Sequence, residues 1–136
     1  MLTAVLSGCG GGQTPPEPPL FPVTGQVFYR NQTIPDATVR LTPVTPPRNG
    51  KPLYLPHGTV DESGLFTLST YRRGDGAPAG EYYVSFSWVG SLKGISEDDE
   101  DKLPERLPRK YTNPQTSGFT VTVKEGSNIL PAFALQ

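Results

Sequence analysis

From Phe21 onward, apolar and polar residues alternate with a period of two, and no stretch with a helical period runs beyond two turns. Val23-Thr-Gly-Gln-Val-Phe-Tyr29 predicts a strand with Val23, Gly25, Val27 and Tyr29 on one face. Ala37–Leu41 predicts a second, with Thr38, Arg40 and Thr42 outward, and residues 30–36 supply the turn chemistry between them. Thr59-Val60 and Leu65–Leu68 flank Asp61-Glu62-Ser63-Gly64, which predicts a hairpin whose loop ends on glycine. Gly80–Trp88 is the strongest strand pattern, placing Tyr82, Val84, Phe86 and Trp88 inward and Tyr83, Ser85 and Ser87 outward. Phe119–Val123 and Ile129–Leu135, separated by Lys124–Asn128, close the series. Seven strands in about 110 residues predict an all-β fold, a Greek-key β-sandwich.

Composition supports this picture. The 136 residues include 15 Gly and 16 Pro, which disfavour long helices and favour short strands joined by turns. Twelve Lys and Arg stand against 13 Asp and Glu, a formal charge of −1. A nucleic-acid binder needs a basic surface, so no nucleic-acid partner is expected. One Cys excludes an internal disulfide, and one His leaves no multi-histidine metal site.

The N-terminal stretch carries an address. Met1-Leu-Thr-Ala-Val-Leu-Ser-Gly-Cys9 resembles the lipobox of bacterial lipoproteins, in which the signal is cut before a cysteine that becomes the lipidated first residue. Only eight residues precede Cys9 and none is basic, so residues 1–8 read as a truncated signal segment. Residues 9–21 are rich in Gly and Pro, have little apolar surface, and read as a disordered tether. The resemblance implies an exported protein held through lipidated Cys9 at a membrane of the cell envelope, in the periplasm or at the outer membrane. Multiple acylation would give the stable attachment that one chain does not.

Residues 22–136 form the expected domain. Val23-x-Gly-x-Val27, Ile34-Pro-x-Ala-x-Val-x-Leu41, Thr59-Val-Asp-x-x-Gly-x-Phe66 and Ala77-Pro-Ala-Gly-x-Tyr-x-Val84 together resemble the carboxypeptidase regulatory-like domain. This is a prealbumin-like (transthyretin-like) sandwich. Leu107-Pro-Arg-Lys-Tyr111, Thr116-Ser-Gly-Phe119 and Glu125-Gly-x-Asn128 resemble a version found in lipoproteins of planctomycete bacteria. The resemblance brings no defined activity. It implies a non-catalytic module for binding or structural support, with an envelope protein or polysaccharide as the kind of partner.

Catalytic readings of that fold were weighed on the residues. Intradiol dioxygenases hold iron with two Tyr and two His, but His57 stands alone. Transthyretin-like hydrolases use several histidines and a C-terminal Tyr-Arg-Gly-Ser. Tyr71-Arg72-Arg73-Gly74 echoes those letters in mid-chain, so such a hydrolase is the weakest alternative. A protease zinc site would need a second His, and a Ser-His-Asp triad lacks a Gly-x-Ser-x-Gly elbow. No cofactor is expected. The acidic run Ser96–Asp101 offers Asp98, Asp99 and Asp101 as weak Ca²⁺ ligands. Without the interleaving and central glycine of a calcium loop, it reads better as charges pairing with Lys102, Arg106, Arg109 and Lys110.

Residues 90–117 show no strand pattern, and Ser96 with the acids after it predicts one helical turn across Asp98–Leu103. A structureless stretch of this length in a compact domain has a job. Either it is a binding loop with Leu103, Leu107 and Tyr111 as anchors, or it is a strap covering an open sheet edge. The strap accounts for the same apolar residues without a ligand. The outward sheet face with Thr38, Arg40, Tyr83, Ser85 and Ser87 is a second place where sugar or protein could dock.

Overall fold

The computed structural model describes residues 17–48, 50–91 and 93–136. The signal segment, Cys9 and the first part of the tether lie outside the described residues. The described chain begins its pairing with β1 (Leu20–Phe21), followed across Pro22 by β2 (Val23–Tyr29). Arg30 and Asn31, at φ 52° and 64°, form the two-residue turn to β3 (Gln32–Thr33), the twist-matched geometry of tight hairpins. Then come β4 (Thr38–Pro43), β5 (His57–Thr59), β6 (Leu65–Thr67), β7 (Ala77–Pro78) and the long β8 (Gly80–Ser87). A four-residue helical turn, α1 (Glu97–Glu100), and a 3-10 turn at Arg109–Thr112 precede β9 (Thr120–Val123), β10 (Asn128–Ile129) and β11 (Phe133–Leu135).

The fold is all-β, with two main sheets stacked as in a sandwich. One runs β5-β4-β8-β9, antiparallel throughout. The other is built on β2, with β6 and β3 antiparallel along one side and β10 and β11 parallel along the other. The expected strand over Ile129–Leu135 is therefore two short ones, separated by Leu130-Pro131-Ala132 because Pro131 has no N–H to give the ladder. β1 pairs with β7, so strand pairing among the described residues takes in Leu20 and Phe21, which the composition assigns to the tether.

Alternation gives the core directly. Val23 and Val27 from β2 face Val39 and Leu41 from β4 and Val84 and Phe86 from β8, all at most 1% exposed. Aromatic rings tie the layers together. Phe66 stacks on Phe133 at 6.3 Å, and Phe133 meets Phe86 and Phe119 edge-on at 5.4 and 5.3 Å. Tyr82 is buried, its hydroxyl donates to the Pro78 carbonyl (2.7 Å), and burial pushes its pKa up to about 12.

The expected hairpin over residues 59–68 keeps its glycine-ended turn, with the Asp61 N–H donating to Leu65 O (2.8 Å) and Gly64 at φ 88°, but its arms part into a corner. β5 ladders with β4 and β6 with β2, so the two arms belong to different sheets. They still touch: the His57 N–H donates to Ser69 O (3.0 Å) and the Ser69 N–H to His57 O (2.8 Å). Gly58 makes the approach possible, because a Cβ there would overlap the Thr67 carbonyl oxygen. Asp61 holds the corner's tip, accepting from the Ser63 hydroxyl (2.7 Å) and the Leu65 N–H (3.0 Å). These bonds lower the Asp61 pKa below its ordinary value.

At the opposite edge no ladder joins β9 to β11 among the described residues, and residues 104–112 lie across the gap. Glu105 pins this segment to the end of β8. It accepts from the Ser87 hydroxyl (2.6 Å), the Trp88 N–H (2.6 Å) and the Leu107 N–H (3.2 Å). The Arg106 N–H donates to Trp88 O (2.8 Å), and its guanidinium lies 5.2 Å from the Trp88 ring. Tyr111 then enters the core, stacked 6.3 Å from Phe119, and its hydroxyl accepts from the Gln136 N–H (3.0 Å). One side chain thus links the strand ends at both sides of the gap.

Candidate functional site

A recess of about 860 Å³, open to solvent, lies over the corner where β5 meets β6. Alternation builds its floor. Thr24 and Thr67 are cross-strand partners on β2 and β6, and Thr59 and His57 alternate with buried Gly58 on β5, so hydroxyls and an imidazole face outward. Its rim is the turn at residues 69–75, which carries Tyr71, Arg72 and Arg73.

That turn is rigid for a visible reason. One Asp75 carboxylate accepts the N–H groups of Thr70 (2.7 Å), Tyr71 (2.9 Å) and Arg72 (2.7 Å). The Ser69 hydroxyl oxygen accepts from the Gly74 N–H (2.7 Å), and the Thr70 hydroxyl donates to Gly76 O (2.7 Å). Desolvation opposes charge on Asp75, but the backbone donors outweigh it and lower its pKa from the ordinary 3.8. Such a depressed carboxylate contributes its stabilisation fully above the unfolded-state pKa and loses it as pH falls through the lower folded value. The protection of the Thr70–Arg72 amides relative to their intrinsic exchange is therefore expected to hold above the ordinary carboxylate pKa of 3.8 and to fall below it. Asp75→Asn should show faster exchange already at neutral pH and cost about 1 kcal/mol.

Tyr71 stands edge-on to Tyr54, with ring centroids 5.5 Å apart, and is 38% exposed. Partial burial and the Tyr54 hydroxyl raise its pKa, so it is a neutral phenol at any physiological pH. Leu53 and Leu55 beside Tyr54 are also exposed. Among the described residues neither Arg72 nor Arg73 has a carboxylate within ion-pair distance. His57 Nδ1 has a backbone carbonyl, Leu55 O, at 3.4 Å and no acidic partner. The recess therefore offers hydroxyls, one aromatic face and, among the described residues, two guanidiniums without an ion-pair partner.

The sequence-derived candidates lie elsewhere. Leu107 and Tyr111 are buried in the core at 4% exposure and Leu103 is half-buried, the placement a strap requires. The expected outward face of β8 is partly covered: Ser85 is 7% exposed, and Thr112 from the 3-10 turn lines a small hollow with it and Arg40. The helical turn spans Glu97–Glu100 rather than Asp98–Leu103, because the Asp99 N–H donates to Ser96 O (2.9 Å). Asp98, Asp99 and Asp101 are exposed, and among the described residues no three His, Cys, Asp or Glu side chains converge as a metal site would need. The expected pairing of acids and bases reduces to Asp99–Lys102 at 3.2 Å. Arg106 and Lys110 instead lie over the Trp88 and Tyr111 rings.

His57 and Tyr71–Gly74 stood out in the sequence as isolated letters, and the corner brings them into one recess. The available signal was Asp75 five residues after Thr70, the spacing of a side chain that braces a turn.

No family model matches the chain, and no curated protein matches it. Among solved structures, a 9R-lipoxygenase from Cyanothece PCC8801 aligns at 15% identity with a TM-score of 0.38, over 95% of this chain and 18% of that one. The chain thus spans under a fifth of that protein's length, and a likeness so slight carries no argument about fold or activity.

Proposed function

We propose that this protein is a non-catalytic, lipid-anchored module of the bacterial cell envelope that binds carbohydrate through the recess at the β5–β6 corner. The observation that carries the binding reading is the braced rim, where Asp75 spends its charge on three backbone donors to fix Tyr71, Arg72 and Arg73 above a floor of threonines. An exposed aromatic beside hydroxyl rows is what a sugar-binding surface needs. The two stacked β-sheets and the motif order support a prealbumin-like sandwich of the carboxypeptidase regulatory-like type. In support, Gly64 takes φ 88° and Asp36 takes φ 69°, at the turns where the motifs place Gly64 and Pro35-Asp36. A transthyretin-like hydrolase has less support, since His57 has no acid to orient it and no second histidine to work with.

Two measurements test this. Cells making the full chain from its upstream region should hold it in the membrane fraction with Cys9 acylated, while Cys9→Ala is released. A soluble wild type with an unmodified thiol would refute the anchor. Immobilised envelope polysaccharide should retain the wild-type chain and Asp98→Ala, an exposed position outside the recess, but not Tyr71→Ala, and equal passage of all three would refute binding through this recess.

A further inference from the structure

Building on the carbohydrate-binding reading, we infer that the ligand is an acidic glycan whose carboxylates are read by Arg72 and Arg73. The chain as a whole carries a formal charge of −1, whereas the recess lining holds Arg72 and Arg73 against Asp61, so the excess of arginine there is a local feature. Two adjacent guanidiniums stand on one turn, exposed, with no carboxylate at ion-pair distance among the described residues. The nearest acid in sequence, Asp75, directs both oxygens to backbone N–H groups. Asp61, which also borders the recess, directs one oxygen to the Ser63 hydroxyl and to the Ser63 and Leu65 N–H groups. Asp61 and Asp75 keep their charge while they hold the shape of the corner and the rim, and the Glu17 carboxylate acts on Tyr71 through space, yet none of the three pairs with either guanidinium among the described residues.

Arginine presents a planar fork that matches a carboxylate through two parallel hydrogen bonds. Below the rim, Thr24, Thr59 and Thr67 supply donors and acceptors of the sort that sugar hydroxyls pair with, and the Tyr71 ring offers a face for the apolar side of a pyranose. A recess that is open to solvent suits a segment of a chain more than an enclosed small molecule. A neutral glycan would leave both guanidiniums unused, and a lone inorganic anion would leave the threonine floor and the ring unused.

The test uses the full chain carrying Cys9→Ser, to keep it soluble, and three probes followed by amide NMR: hexameric α-1,4-galacturonate, the same hexamer with its carboxylates methyl-esterified, and inorganic phosphate. The galacturonate is expected to shift the resonances of Thr67 and Tyr71–Gly74. Arg72→Gln with Arg73→Gln should weaken it about tenfold or more without moving the thermal midpoint, and so should esterification. Binding of the ester as tight as that of the acid would overturn the charge reading while leaving carbohydrate binding standing. Shifts by phosphate that match those by the hexamer would overturn the glycan in favour of a simple anion site. Binding of neither hexamer at these residues would overturn the inference, and the polysaccharide retention experiment separately decides the reading beneath it.

Discussion

Replacing Tyr111 by alanine is expected to lower the unfolding free energy by about 3–5 kcal/mol, the range for truncating a buried aromatic side chain. Tyr111 is 4% exposed, stacks on Phe119, and through it reaches Phe86 and Phe133, which belong to opposite sheets. The cavity left behind would open at the edge that residues 104–112 cover, where no ladder joins β9 to β11 among the described residues. Tyr111→Phe keeps the ring and loses only the bond from the Gln136 N–H, so about 0.5–1.5 kcal/mol is expected. Urea unfolding of both variants checks the pair. A loss in Tyr111→Ala no greater than that in Tyr111→Phe would show that residues 104–112 rest on the sandwich without being part of its core.

Gly76→Ala should be nearly as damaging, at about 3 kcal/mol, for a different reason. Gly76 has φ +96°, a conformation that L residues avoid, and a Cβ there would overlap the Phe21 carbonyl oxygen where β1 pairs with β7. The backbone cannot yield without releasing Leu20–Phe21 from the fold. Gly74 is the control: its φ is +74° but nothing lies within 4 Å of a Cβ, so Gly74→Ala should cost only the left-handed strain of about 1–2 kcal/mol. Thermal midpoints of the two variants, with tryptic cleavage after Lys and Arg as a second readout, separate the clash from the strain. Equal losses would mean that the β1–β7 pairing adds nothing to stability.

These two positions mark where the sequence could and could not be read. Long strands with strict alternation, such as Val23–Tyr29 and Gly80–Ser87, follow from period alone because one face of each is buried. The burial of Leu107 and Tyr111 was legible for a similar reason, since they are apolar residues in a polar, proline-rich stretch. Pairing partners were not legible. Residues 57–69 have the composition of a hairpin, and only the tertiary placement of β4 and β2 assigns its arms to different sheets. β1 is two residues long, too short for a period, and Ser85 is polar on the expected outer face yet covered by a turn that starts 24 residues later. The recess was the least legible, because its residues come from β2, β5, β6 and the Asp75 turn and converge only once the corner has formed.

The position of β2 between the earliest and the latest strands also sets a timetable. Its parallel neighbours are Asn128–Ile129 and Phe133–Leu135, about a hundred residues downstream, so its second edge stays unpaired until that part of the chain has been synthesised. Contacts so distant in sequence carry a large loop-closure cost and make folding slow. A nascent chain therefore cannot complete the β2 sheet by halves, and the last strand to arrive acts as its clasp.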